Sequence, residues 1–354
     1  MKLETKAILQ RLARGLGRCV SGVLLLAVLV SVLPIPSSFM EAVYTRGVYP
    51  VIAAILIPVT ALLPFSLALV GLIALPILAL IAFIRSRRSV RPELKLWRVA
   101  AQVGLALLCI YGAFQLLWGL NYRRESIETL LKLNTAPVTR TELETVAREL
   151  LTVVREHATA TRDPEAAILS LRDAIRETVS DITGNTPTLP PRVKSPPAGW
   201  LIALRTSGVV SPFTLEAHVD PGLPEPFFVA VSAHELTHLT GSAGEADTDL
   251  IAAISGLRAR DSYARYCVAL NYFMDVYAEL PAKTQAALGA ELPTVARSDW
   301  NAYIAALRHY RLPDAITNVT QGAYSGYLQS QGVAAGIRDY SRIVTLLAQW
   351  WRRR

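Results

Sequence analysis

Long uncharged stretches in the first 120 residues constrain the fold more than any other feature of this sequence. Residues 19–37, 49–84 and 99–120 contain no Asp, Glu, Lys or Arg. A helix of about 20 apolar residues spans the hydrocarbon core of a bilayer. Since 52% of the whole chain is hydrophobic, the composition is typical of membrane-spanning helices joined to a globular part.

Prolines indicate where the second uncharged stretch, residues 49–84, is interrupted. Pro50, Pro58, Pro64 and Pro76 interrupt residues 49–84, and proline breaks or kinks a helix. The sequence therefore predicts one crossing at about 64–84, preceded by a re-entrant or interfacial segment at about 47–63. With crossings at about 19–37 and 99–120, this makes a membrane domain of residues 1–120 with three helices. Residues 1–18 form a long charged segment before the first apolar stretch, and no small-x-small cleavage site ends that stretch. Both features favour an uncleaved membrane anchor over a signal peptide.

The positive charge is concentrated in two short segments. The net charge is +8, of which residues 1–18 contribute +4 and residues 85–98 contribute +5, so the rest of the chain is nearly neutral. Basic loops beside membrane helices mark the cytoplasmic side. We therefore expect both segments in the cytoplasm, residues 121–354 outside it, and membrane lipid as a partner. A basic face for nucleic acid is not indicated.

The remaining residues, 121–354, are numerous enough for one globular domain. Leucine, valine and charged residues recur at helical spacing through most of it, so we expect a mainly α protein. Residues 200–219 contain β-branched and aromatic residues between turn signals and predict a small β element. A proline-rich loop at residues 181–197 precedes it.

The stretch HELTH contains a motif for metal chemistry. In a helix, His234 and His238 lie one turn apart on the same face, so both imidazoles can bind one metal ion. Glu235 lies beside that face and is predicted as a general base, acting on a water molecule that attacks a carbonyl. One Zn²⁺ is the expected cofactor, because zinc in catalytic sites takes three protein ligands and keeps a position for water.

Glu245 is the predicted third ligand. Gly241 and Gly244 allow the chain to turn back, after which Glu245 begins a new helix. Asp249 follows four residues later on the same side, where it is predicted to hydrogen-bond the far nitrogen of a ligand histidine. Two other side chains stay open as third ligands, Asp247 and His218.

Several blocks of the sequence resemble a bacterial membrane-protein family that is catalogued as a domain of unknown function and regarded as a candidate zinc metallopeptidase family. The most specific are LLWGLNYRR (residues 116–124) and HELTHLTGSAGEADTDLIA (residues 234–252). The spacing from Glu245 to Asp249 is also similar to the second motif of gluzincin peptidases. The resemblance implies a zincin-like catalytic domain. At three positions this chain differs from the usual family pattern: Gly244 replaces a basic residue, Asp247 a Glu, and Asp249 an Asn.

Substrate contacts are predicted from position. Glu216 and His218 lie on a predicted strand upstream of the motif, where related peptidases bind an extended substrate. Surface residues on a strand are the alternative for both. A tyrosine hydroxyl can stabilise an oxyanion. The candidate tyrosines are Tyr263, Tyr266, Tyr324 and Tyr327.

These observations predict a membrane-anchored zinc-dependent peptidase whose substrate is an unidentified peptide or protein. The alternatives are a zinc amidase acting on another envelope amide, and a non-catalytic binding or assembly protein with a structural metal site. A transporter is disfavoured, because the predicted spans lack the charged residues that ion-coupled carriers use. The sequence does not indicate an oligomeric state.

Overall fold

The apolar N-terminal part folds into helices separated by short turns. In the computed structural model, which describes residues 20–86, 92–331, 333 and 342–354, these helices are α1 (Val20–Val32), α2 (Ser37–Ala61), α3 (Leu67–Ser86) and α4 (Pro92–Leu117). The segment Met40–Val48 of α2 is π-helical. The predicted basic segment at residues 1–18, and residues 87–91 of the basic loop, lie outside the described residues.

Two of the described helices are long and apolar enough to cross a membrane, Ser37–Ala61 and Val99–Leu117. The sequence predicted three crossings. The one at 99–120 coincides with α4, whereas α1 and the apolar part of α3, Leu67–Ile81, are shorter. Of the segment predicted to be re-entrant or interfacial, residues 47–61 belong to the continuous helix α2. Pro50 is tolerated because it lies in the first turn after the π-helical segment, and the break falls at residues 62–66.

The ends of α1, α3 and α4 are attached to the globular part of the chain. Arg123 donates to the carbonyls of Val30 and Leu33 at the C-terminal end of α1. The backbone N–H groups of Leu67 and Ala68, at the start of α3, donate to Glu216. α4 continues directly into the 3-10 turn Gly119–Arg123. Hence α1 and α4 run toward the globular domain and α3 runs away from it.

Helix α2 differs from the other three, because both of its ends contact the globular domain. Arg46 donates to the Thr183 carbonyl over 3.0 Å, and Lys194 Nζ donates to the Thr60 carbonyl over 2.9 Å. Between these contacts Tyr49, and also Ala53 and Ile57 one and two turns later, are buried in the main hydrophobic core. α2 therefore lies along the domain.

The globular domain is mainly helical, as the sequence predicts. Its longer helices are α6 (Arg140–His157), α7 (Pro164–Thr183), α9 (Glu225–His238), α10 (Glu245–Arg258), α11 (Ser262–Ala278), α12 (Ala282–Glu291), α13 (Thr294–His309), α14 (Asp314–Ser330) and α15 (Arg342–Trp351). Single turns of helix, α5 (Ile127–Leu130) and α8 (Trp200–Ala203), lie between them.

The small β element is an antiparallel hairpin of β1 (Gly208–Ser211) and β2 (Glu216–Val219), in which Val209 is opposite His218. On the other side of β2, Lys194 forms a parallel bridge to His218. β2 is therefore the inner strand, and all four of its residues are buried. β1 is the outer strand.

Helix α9, which carries the metal motif, lies at the centre of the domain. It packs against α7, α10, α11 and both strands, so most of its surface is buried. Ala233, Leu236 and Leu239 are completely buried. This surrounding core fixes the position of the two histidines near the C-terminal end of α9.

Candidate metal centre

The two histidines project from one face of α9, as the helical spacing predicts. The ring centroids of His234 and His238 are 4.7 Å apart, with the rings nearly perpendicular. His238 is buried and His234 is partly exposed. The indole of Trp118 lies edge-on to His238, with ring centroids 6.0 Å apart.

A tight turn brings the third side chain back to the histidines. Gly241 has φ +88°, a left-handed conformation that favours glycine, and its N–H donates to the His238 carbonyl over 2.9 Å. α10 then begins at Glu245, whose Oε2 lies 3.2 Å from His234 Nε2 and 3.3 Å from His238 Nε2. The three potential ligand atoms all lie within 4.8 Å of one another.

The hydrogen bonds of the far ring nitrogens suit metal binding. His234 Nδ1 lies 2.7 Å from Oδ1 of Asp249, and His238 Nδ1 lies 2.7 Å from the Ser242 carbonyl oxygen. Both partners are acceptors, so each Nδ1 carries the proton and each Nε2 keeps its lone pair for a metal. Two neutral imidazoles and one carboxylate are a ligand set that fits zinc.

Two tyrosines donate hydrogen bonds to the carboxylates of Asp249 and Glu245. Tyr272 donates to the same Asp249 oxygen over 3.1 Å. Tyr324 donates to Glu245 Oε1 over 2.7 Å, which leaves Oε2 directed at the histidines. Tyr324 thus contacts a predicted ligand, and it also lines the adjoining cavity.

Glu235 lies next to the cluster but is not part of it. Its side chain is buried, and among the described residues Oε2 has no hydrogen-bond partner. Burial raises the pKa of Glu235 to about 7. A buried carboxylate with a free oxygen can exchange a proton with a molecule in the cavity.

The cavity beside Glu235 has a volume of about 500 Å³. Its polar wall consists of Glu235, His238 and Glu245. Thr206, Thr320, Gln321 and three tyrosines add uncharged polar groups to the lining, and most of the remainder is apolar. The main apolar contributors are Phe114, Trp118, Val209, Val210 and Phe213. The cavity therefore joins the histidine cluster to an apolar space large enough for several side chains.

Glu216 and His218 lie on the strand β2, and both are buried instead of being surface residues. Glu216 forms a buried ion pair with Lys194 and accepts the first N–H groups of α3. His218 Nε2 lies 2.8 Å from the Ser66 hydroxyl. Both side chains thus attach the hairpin to the α2–α3 turn, and neither belongs to the cluster of potential ligand atoms found among the described residues.

Three other candidates also have partners away from the histidines. Tyr266 donates to Asp299 over 2.6 Å, and Tyr263 donates to Glu225 over 2.6 Å. Asp247 forms an ion pair with Arg342 and accepts the Ile127 N–H. Asp247 therefore does not belong to the cluster of potential ligand atoms that His234, His238 and Glu245 form.

Sequence reasoning missed Gly208 and Tyr272. An ideal Cβ on Gly208 would lie 2.4 Å from Glu235 Oε1, so the backbone of β1 passes directly over this carboxylate. A glycine at the start of a predicted strand signals such a close approach. No sequence pattern indicates the role of Tyr272, because its hydrogen bond to Asp249 joins two different helices.

Comparison with protein-family models gives a match over most of the chain. A family model described as a protein of unknown function (DUF3810) matches residues 44–348. The matched region begins within the π-helical segment of α2 and includes the whole histidine cluster. Searches of curated proteins and of solved structures found no match.

Proposed function

The chain belongs to the DUF3810 family, and we propose that it is a membrane-anchored zinc-dependent peptidase. One observation carries the proposal: His234, His238 and Glu245 converge beside a buried Glu235 that keeps one carboxylate oxygen unpaired among the described residues. Zinc bound by the three converging atoms would polarise a peptide carbonyl and acidify a water molecule.

Glu235 is the proposed general base. Its free oxygen takes a proton from the water as the water oxygen attacks the carbonyl carbon. When the C–N bond breaks, Glu235 returns that proton to the leaving nitrogen, so the carboxylate is regenerated. No other side chain in the polar wall can do this, because His238 and Glu245 are occupied by the metal-binding arrangement.

The neighbouring residues have positioning roles in this proposal. Asp249, itself bonded to Tyr272, holds His234 in one tautomer. The Ser242 carbonyl does the same for His238. Tyr324 fixes the rotation of the Glu245 carboxylate. The predicted oxyanion contact of Tyr324 stays a prediction, since its hydroxyl already donates to Glu245.

The hairpin favours a peptide over another amide as substrate. Asp220 N–H donates to the Ser207 carbonyl, and in an antiparallel pair the hydrogen-bonded positions alternate along the strand. The backbone groups of Gly208 and Val210 therefore point away from β2. The Gly208 carbonyl already accepts the Thr206 hydroxyl over 2.8 Å. Both residues line the cavity, so an extended peptide can pair with the Gly208 N–H and with Val210 at this strand edge beside Glu235.

We further propose that the globular domain lies outside the cytoplasm. The basic residues 1–18 precede the end of α1 that is remote from the domain, and the basic loop 85–98 joins the remote ends of α3 and α4. The positive-inside rule puts those ends in the cytoplasm. In this arrangement α1, α3 and α4 cross the membrane, and α2 lies along the domain.

The test uses the purified full-length protein and three variants. We expect the wild type and Glu235→Gln to bind about one zinc each, with peptide turnover at least about 100-fold lower in Glu235→Gln. His238→Ala should lose the metal. Glu291→Gln, on the exposed surface, is the matched control. Equal turnover by the wild type and Glu235→Gln would leave a structural metal site as the better explanation.

A further inference from the structure

The cavity is built against the end of a helix that is apolar enough to cross a membrane. Phe114 and Trp118 lie at the C-terminal end of α4, and both line the cavity. One helical turn earlier, Ile110 is 55% exposed and Tyr111 is 38% exposed. Four residues of helix rise about 6 Å, so the cavity begins about 6 Å along α4 from a side chain suited to lipid.

The other side of the cavity is also apolar and open. Leu204, Val209 and Phe213 line it and are each more than 40% exposed. Val319 is 72% exposed and directly precedes Thr320, which also lines the cavity. Large side chains exposed together around a cavity indicate a surface that contacts lipid or an apolar partner.

The carboxylate and imidazole groups that line the cavity, Glu235, His238 and Glu245, belong to the histidine cluster or lie next to it, and the other polar lining residues are uncharged threonine, glutamine and tyrosine side chains. Among the described residues, no Lys or Arg lines the cavity. An acidic side chain therefore has no Lys or Arg to pair with in the part of the cavity away from the metal centre, and its desolvation would be costly. A large apolar side chain fits the space and gains free energy from burial.

We infer that the substrate is a segment of another membrane-anchored protein, cut where it leaves the bilayer, with a large apolar side chain held in this cavity. This inference rests on the proposed peptidase function. It adds the direction of approach: the substrate reaches Glu235 along the exposed face of α4, between Phe114 and Phe213.

A binding experiment tests the cavity without requiring turnover. Hydroxamates bind zinc directly, so acetohydroxamic acid reports the metal centre alone, and amino-acid hydroxamates report the cavity as well. With zinc-loaded full-length protein in detergent, we expect phenylalanine hydroxamate to bind at least about 10-fold more tightly than aspartate hydroxamate in calorimetric titrations. Phe213→Ser should reduce this ratio at least about 3-fold. Leu169→Ser, an exposed leucine on α7, should leave it unchanged.

The outcomes separate the two proposals. If acetohydroxamic acid does not bind, the metal centre itself is wrong. If it binds, but the phenylalanine and aspartate compounds bind equally, the inference about the cavity is wrong and the metal centre stands.

A second experiment tests the direction of approach. A bacterial membrane-protein extract is reconstituted into vesicles with the wild type or with Glu235→Gln, and new N-termini are mapped by mass spectrometry. We expect wild-type-specific cuts within about 15 residues of a membrane span and next to Phe, Leu, Ile or Met. Cuts spread evenly through soluble domains would overturn the inference. No wild-type-specific cut at all would count against the peptidase function.

Discussion

Gly208 lies so close to Glu235 that a Cβ atom in its place would be 2.4 Å from the Glu235 carboxylate oxygen. Real Cβ atoms do not approach an oxygen this closely, so Gly208→Ala must displace either β1 or the Glu235 side chain. We expect the zinc content of this variant to be unchanged and its peptide turnover to fall at least about 10-fold, because a misplaced base transfers protons poorly.

A control for this variant is Gly71→Ala, since a Cβ on Gly71 meets no atom within 4 Å. Metal analysis and turnover measured on both variants check the prediction. Full turnover by Gly208→Ala would mean that Glu235 does not have to keep its present position.

Asp249 is expected to set the zinc affinity through His234. Asp249→Ala removes the acceptor of the Nδ1 proton, and the loss of such a partner typically lowers metal affinity 10- to 100-fold. Asp249→Asn keeps an acceptor oxygen and should cost only a few-fold. Competition with a chelating zinc indicator measures both, with the exposed Asp173→Ala as control. Equal losses in the Ala and Asn variants would contradict an orienting role.

Tyr324→Phe separates two roles of one hydroxyl. If the hydroxyl positions Glu245, as the 2.7 Å hydrogen bond indicates, the zinc affinity should fall about 3- to 10-fold. If it instead stabilises an oxyanion, zinc affinity stays constant and only kcat falls. We expect the first result. The control is Tyr111→Phe, whose hydroxyl lies 3.4 Å from the Ser31 hydroxyl and which does not line the cavity.

Arg124 holds the turn that follows the HELTH motif. It pairs with Glu41 through two nitrogens at 3.0 Å and donates to the Gly241 carbonyl over 3.1 Å. Glu41 is buried and the Arg124 side chain is only 9% exposed, so Arg124→Ala should destabilise the fold by about 3 kcal/mol. Arg148→Ala, in an exposed pair with Glu144, should cost less than about 1 kcal/mol. Denaturation in detergent, followed by tryptophan fluorescence, compares them.

Membrane sidedness can be measured with a reporter that is active only in the cytoplasm. Fused after Arg354, the reporter should stay inactive, because the positive-inside rule places the globular domain on the other side. Fused within the basic loop, at residue 90, it should be active. Activity at Arg354 would overturn the arrangement in which α1, α3 and α4 cross the membrane.

Helical periodicity and turn chemistry were sufficient to predict the centre of the site. His234 and His238 share a face because they are four residues apart, and the glycine-rich turn returns Glu245 to them. These relationships are local in sequence. Asp249 lies one helical turn after Glu245 on the helix that follows this loop. Its hydrogen bond with His234 is therefore predicted by the same reasoning.

Relationships between distant segments were not predictable in this way. Alternation along a strand does not reveal its neighbours, so the sequence did not predict that Glu216 pairs with Lys194 or that His218 contacts Ser66. Similarly, the prolines of residues 49–84 predict that this stretch is not one straight helix, and the break does fall at residues 62–66. Its position was not predictable from the prolines alone, because Pro50 and Pro58 both lie within α2.

The position of α2 limits how the protein can be shortened for biochemistry. A soluble fragment beginning at residue 121 would lose Tyr49, whose hydroxyl donates to the Leu239 carbonyl just after the HELTH motif. It would also expose the core surface that Ala53 and Ile57 now cover. Such a fragment would have an incomplete interior next to the proposed metal ligands, so assays need the detergent-solubilised chain with its N-terminal helices intact.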